Sequence, residues 1–180
     1  MKKKSYRPVR PRYEGVRWAW LRAGRTPSPP IAVVTRRLDL DLESPLLAGS
    51  PDHARTIVIT TEAAPPGRRA RAAATADVIV AGRESVDIVA AVTALAGRGH
   101  RHILTEGGPY LLSQIIEAGL LDDLCLTVSP VLAGPGAGRI VAGPGSLHEP
   151  KNVDARPLRL AHVLADDGHL ICRYVRPAAG

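Results

Sequence analysis

The residues best placed to do chemistry are Thr105-Glu106-Gly107-Gly108-Pro109, between an apolar run, HILT (102–105), and an amphipathic run, PYLLSQIIEAG (109–119). In open α/β sheets ligands bind beyond the carboxyl ends of the strands. The free N–H groups at a helix N-terminus attract anions, phosphates above all. Gly107 and Gly108 carry no Cβ, so a pyrophosphate can approach the backbone of residues 108–112 closely. Pro109 falls at a first helical turn, where its missing N–H costs nothing. The Glu106 carboxylate is a poor neighbour for a phosphate but a good acceptor for a heterocycle's ring N–H or amino group. An ordinary tight strand-to-helix turn with a solvated Glu106 fits the same letters. Thr35-Arg36-Arg37 follows a second apolar run and offers a hydroxyl and guanidinium forks. That combination suits a 2′-phosphate, and a plain basic loop is its bland alternative. Past a third run, Gly82 in VIVAGRES has room to pass under a cofactor, though nothing there is specific.

The elements that would position these groups follow from periodicity. IAVVT (31–35), TIVITT (56–61) and DVIVAG (77–82) are short β-branched runs bounded by turn residues, the pattern of buried parallel strands. The stretch between the first two reads as an irregular or short helical connection. Residues 62–76 hold one or two helical turns. Ser85 reads as the N-cap of VDIVAAVTALAGRG, with Val86, Val89, Ala90 and Thr93 on one face and Gly97 or Gly99 ending it. HILT reads as a strand. PYLLSQIIEAG reads as a helix with Leu111, Leu112, Ile115 and Ile116 as its apolar stripe and Gly119 as its stop. DLCLTVSPVLAG (123–134) reads as a long strand, and PLRLAHVLADDGHLICRYVRP as a β-hairpin around Asp166-Asp167-Gly168. The order predicts an α/β domain: three layers, α/β/α, on a mixed, mostly parallel sheet with a C-terminal antiparallel hairpin.

Composition narrows the classes. The chain of 180 residues is 45% hydrophobic and has no Phe, so Leu, Val, Ile and Ala must build the core. Its apolar runs are too short to span a bilayer, and the basic N-terminus lacks the apolar segment of a secretory signal. The net charge of +7 suggests nucleic acid until it is located. Residues 1–25 hold nine Lys/Arg against Glu14, and the remaining residues hold 15 against 16. The basicity belongs to a Pro/Arg-rich leader (1–30), read as a solvated arm, and neither nucleic acid nor membrane is expected as a partner. Cys125 and Cys172 lie in apolar strand-like runs without metal-ligand spacing and read as buried free thiols in a reducing compartment, so a cytoplasmic location is expected. The six His make no ligand cluster, and no metal is expected.

Taken whole, HILTEGGPYLLSQIIEAGLLDDLCLTVSPVLAGP resembles the reductase (C-terminal) domain family of the riboflavin-pathway bifunctional deaminase-reductases, with its dihydrofolate-reductase-like fold. The residues carrying the likeness are Glu106 to Pro109, Asp122-Asp123, Pro130 and Gly134. It runs over roughly 31–176, and YRPVRP (6–11) extends it backwards. The resemblance implies an NADPH-dependent reductase of a ribosylamino-pyrimidine phosphate or a related heterocycle, acting by hydride transfer as a homodimer. By position, Gly107, Gly108, Pro109, Tyr110, Leu111, Leu112, Ser113 and Gln114 would cradle the pyrophosphate. Thr35 and Arg36 would sit near the 2′-phosphate, and Arg10 and Glu106 would contact substrate. No catalytic residue is assigned. The hairpin's Leu158, Leu160, Leu164, Leu170 and Tyr174 would support the dimer. The family's N-terminal strand, Ser-x-Asp-Gly turn and Gly-rich loop are absent, which makes 31–180 an N-terminally incomplete reductase-like domain. Two alternatives follow: a non-catalytic remnant or dimer partner, and a dihydropteridine- or dihydrofolate-type reductase.

Overall fold

Ile57, Val58, Ile59 and Thr60 form a strand that is buried at every position. Only a strand with partners on both edges and cover on both faces reads as such a continuous apolar run. In the computed structural model, which describes residues 21–24, 28–134, 136, 138–143 and 156–177, that strand is β2, the centre of a three-stranded parallel sheet. β1 (Ala32–Val34) pairs along one edge and β3 (Asp77–Val80) along the other, with Val58 opposite Val33 and Val78. The chain divides into two compact units, one ending at Arg101 and the other beginning at His102.

In the first unit, side-chain alternation on β2 makes two cores. Val58 packs with Leu38, Leu47, Ala64, Ala72 and Ala76, whereas Ile57 and Ile59 pack with Ile79, Ala81, Ala91 and Leu95. Ala72 belongs to α1 (Pro66–Thr75), and Ala91 and Leu95 belong to α2 (Ile88–Gly97). These are the three expected layers. α1 runs for ten residues rather than one or two turns. Its Pro66 occupies a first-turn position, and its last carbonyls, Ala73 and Ala74, each accept from Arg55 at 3.0 Å. The connection after β1 is irregular, with one 3-10 turn at Asp52–Ala54, and is pinned beneath β2 by Leu38 and Leu47. Leu38 adopts φ 57° with 1% of its surface exposed. A left-handed leucine costs on the order of 1–2 kcal/mol, and burial of its side chain offsets that.

The N-cap of α2 is Asp87, not Ser85: the Asp87 carboxylate accepts from the Ala90 N–H at 3.0 Å. Ser85 is taken up by the turn before it. Gly82 has φ 95°, and a Cβ there would overlap the Ser85 carbonyl oxygen and lie 2.9 Å from the Asp87 nitrogen. Its glycine is therefore explained by the chain's own path and needs no cofactor above it. The inward face of α2 is also rotated from expectation. Ala91 and Leu95 are buried and Ile88 and Val92 half-buried, while Val89 is 49% exposed.

The second unit holds α3 (Pro109–Glu117) and an antiparallel sheet in the order β4 (Asp123–Val128), β6 (His169–Val175), β5 (Arg159–Asp166). Gly119, at φ 70°, ends α3; the carbonyl of its last residue, Glu117, accepts from Arg156, and the carbonyls of Gly119 and Leu121 in the segment after it accept from Arg176. The hairpin turns through Asp167-Gly168, both at positive φ, as a two-residue primed turn requires. A bulge at Ala161 shifts register between Leu160 and His162. Arg173 forks onto Asp123 across β4 and β6 at 3.1 and 3.2 Å. That hydrogen bond, with the carboxylate's charge, raises the guanidinium pKa above its ordinary value.

Three further local expectations are corrected. HILT (102–105) is not a strand: it has no ladder partner among the described residues, and Leu104 is 82% exposed. The long strand stops at Val128, because Pro130 cannot donate to a ladder. Cys125 is exposed, and only Cys172 is buried. The parallel and antiparallel strands form two separate three-stranded sheets. Replacing Leu38 with Ala should remove the anchor under β2 and lower unfolding free energy by about 2–5 kcal/mol, read from urea denaturation midpoints.

Candidate nucleotide-binding site

The two glycines of the turn before α3 have different surroundings. A Cβ on Gly107 would lie 3.0 Å from both Cβ and Cγ of Leu111, and closer still to a Leu111 methyl. A side chain at position 107 would thus have to displace the Leu111 side chain, which packs against this turn. A Cβ on Gly108 would meet nothing within 4 Å. Gly108 sits at φ −67°, ψ 178°, an extended conformation open to any residue. The packing of the fold gives no reason for a glycine here. The carbonyl of Gly108 accepts from Leu111 and Leu112, at 3.0 and 3.2 Å, while the N–H groups of Gly108 and Tyr110 find no acceptor among the described residues. Pro109 has no N–H to offer; its carbonyl accepts from Ala142 at 3.2 Å.

Around this turn, Glu106 is exposed and unpaired among the described residues, and Tyr110 is 63% exposed. Leu111 and Leu112 are half-buried and Gln114 is exposed. Ser113 is buried and its hydroxyl donates to Glu117 at 2.9 Å, so it serves the helix.

The first unit gathers a second set of polar groups beyond the carboxyl ends of its three strands. Thr35 continues the ladder, donating its N–H to Ile59 at 2.9 Å. The Arg36 guanidinium lies 3.9 Å from Glu84 after β3, and Arg83 lies 3.8 Å from Glu62 after β2. Arg37 is exposed. Thr60 and Thr61, which the sequence presents simply as strand residues, turn both hydroxyls onto the Arg36 carbonyl, at 3.3 and 3.0 Å. The signal for them was two adjacent hydroxyls ending an otherwise apolar buried strand. Arg10 lies outside the described residues. A depression of about 170 Å³ between Leu38–Glu43 and Arg68 and Arg71 touches none of the expected site residues. Among the described residues no cluster of His, Cys, Asp or Glu could hold a metal.

A parallel α/β unit and a second unit that holds a helix and an antiparallel sheet define a protein of the mixed α/β class. The RibD C-terminal domain model matches residues 6–172, and the chain belongs to that family. The match reaches back into the basic leader. Among curated relatives, the 2,5-diamino-6-ribosylamino-4(3H)-pyrimidinone 5′-phosphate reductase of Methanothermobacter thermautotrophicus is 29% identical over 123 residues, covering 68% of this chain and 56% of that protein. The Archaeoglobus fulgidus protein of the same name is 32% identical over 111 residues, covering 62% and 49%. The chain thus spans about half the length of these relatives. A pyrimidine reductase-like protein from Corynebacterium diphtheriae shares the fold with a TM-score of 0.81 at 24% identity, over 97% of this chain and 71% of that one. Acinetobacter baumannii RibD gives 0.59 at 18% identity, over 80% and 36%.

The two glycines separate experimentally. Gly107→Ala should lower stability by about 1–3 kcal/mol through overpacking against Leu111. Gly108→Ala should stay within about 0.5 kcal/mol of wild type, as a substitution into open space does. Paired chemical denaturation curves test both.

Proposed function

We infer that this chain is an NADPH-dependent reductase of a ribosylamino-pyrimidine phosphate in riboflavin biosynthesis. The observation that carries the reading is the Glu106-Gly107-Gly108-Pro109 turn, in which Gly108 is left open by the fold in a chain of the RibD C-terminal family. The residues present fit the cofactor. The Gly108 and Tyr110 N–H groups, without acceptors among the described residues, can donate to a pyrophosphate, and the missing Cβ lets it approach. Gly107, Pro109, Leu111 and Leu112 shape that turn, and Gln114 lies exposed one helical turn on. Thr35 and Arg36 supply the hydroxyl and guanidinium that a 2′-phosphate requires. Glu106 accepts from the pyrimidine and orients it, and Arg10 contacts the substrate. When bound, the dihydronicotinamide supplies the hydride; the protein contributes orientation and charge.

The same reading makes the protein a cytoplasmic homodimer. Two unpaired thiols, one of them exposed, suit a reducing compartment. No helix among the described residues is long and apolar enough to cross a membrane. Leu160, Leu164, Leu170 and Ile171 on the hairpin are each at least 40% exposed and offer apolar surface for a second copy.

Calorimetric titration with NADPH, and NADH as control, tests the cofactor assignment: saturable binding that prefers NADPH is expected. Gly108→Asp should abolish it by placing a carboxylate where the phosphates go, and undiminished affinity in that variant would refute the cradle. Glu106→Gln should keep NADPH affinity and lose reduction of the pyrimidine phosphate, followed by absorbance of the reduced nicotinamide. For the dimer, Leu164→Asp should shift the sedimentation coefficient to that of a monomer.

A further inference from the structure

The loop leaving β1 is held more firmly than a solvated basic loop needs to be. Thr35 is still in the ladder, and Arg36 is the first residue outside it. Its carbonyl accepts from two hydroxyls, Thr60 Oγ1 at 3.3 Å and Thr61 Oγ1 at 3.0 Å. Both threonines are 0% exposed. Two residues on, Leu38 locks the chain again, buried at φ 57°, with its own carbonyl accepting from Arg68 at 3.0 Å. Between these fixed points the Arg36 side chain stays 56% exposed, near Glu84. Valine would fill either threonine's volume in this strand, which otherwise runs Ile-Val-Ile. A buried hydroxyl is favourable only when it finds a partner, and both here find the same one.

We propose that Thr60 and Thr61 are positioning residues that set the preference for a 2′-phosphorylated nucleotide by fixing the backbone from which Arg36 projects. The role rests on the assignment of Arg36 to the 2′-phosphate and adds two residues that do not touch the ligand. A backbone held before binding loses less freedom on binding, so the gain is confined to the ligand that engages Arg36. The clamp therefore acts on discrimination and leaves binding of the rest of the nucleotide alone.

The probes are adenosine 2′,5′-bisphosphate and adenosine 5′-monophosphate, titrated calorimetrically into the full chain. Thr60→Val/Thr61→Val should weaken the bisphosphate about tenfold and leave the monophosphate unchanged, a loss the size of a hydrogen-bond network. Thr61→Val alone, with Thr60 still donating, should cost about threefold and serves if the double variant does not fold. Thr61→Ser, which keeps the hydroxyl, should restore wild-type discrimination. Folded valine variants that discriminate as the wild type does overturn the clamp, and so does an equal loss for both nucleotides, which marks a merely structural role. A wild type indifferent to the 2′-phosphate removes the Arg36 assignment itself and the clamp with it. Wild-type discrimination that survives Thr61→Val refutes the clamp alone.

Discussion

Each unit is organised by one strand whose two edges are both paired. In the first unit that strand is β2, and its burial on both faces forces everything around it. Val58 draws α1 and the β1–β2 connection to one side, while Ile57 and Ile59 draw α2 to the other. A parallel strand so enclosed has nowhere to place a polar group except at its end. There, Thr60 and Thr61 both donate to the Arg36 carbonyl. The groups available to a ligand are consequently gathered past the carboxyl ends of the strands, where the ladder has stopped and backbone and side chains are free to face outward.

In the second unit β6 plays the same part between β4 and β5, but in an antiparallel sheet that leaves much apolar surface exposed. Its α3 is defined at both ends by backbone chemistry. Gly108 and Pro109 start it, Gly119 stops it, Arg156 donates to the carbonyl of its last residue, Glu117, and Arg176 to those of Gly119 and Leu121 just beyond. The helix N-terminus receives no comparable partner: the Gly108 and Tyr110 N–H groups stand without acceptors among the described residues. That asymmetry, a satisfied C-terminus and an open N-terminus beside a glycine with nothing packed against it, is the observation on which the proposed phosphate cradle rests.

The sequence by itself determined the class and most of the elements. β-branched runs bounded by turn residues mark β1, β2 and β3, although only β2 is buried throughout, because it alone is paired on both edges and covered on both faces. Asp-Gly between alternating runs marks the hairpin, because only such residues take two successive positive φ values cheaply. Gly-Gly-Pro and Gly119 bracket α3 for equally local reasons. The likeness to the RibD C-terminal family was carried by these same residues, and the family match extends it back to residue 6.

What only the tertiary structure decided depends on partners distant in sequence. HILT has the letters of a strand, but a strand exists only where another backbone pairs with it, and among the described residues none does. Ser85 and Asp87 are equally good caps by type; the turn at Gly82 commits Ser85 elsewhere and leaves the Ala90 N–H to Asp87. The inward face of α2 followed from its contact with β3, not from the first apolar residues in the run. Gly107 and Gly108 are identical letters whose difference, contact with Leu111 against open space, arises once α3 is built. The hydroxyls of Thr60 and Thr61 acquire their meaning from a carbonyl 24 and 25 residues away. Local conformational preference is written residue by residue, whereas the satisfaction of a buried polar group requires knowing what the chain brings back to it.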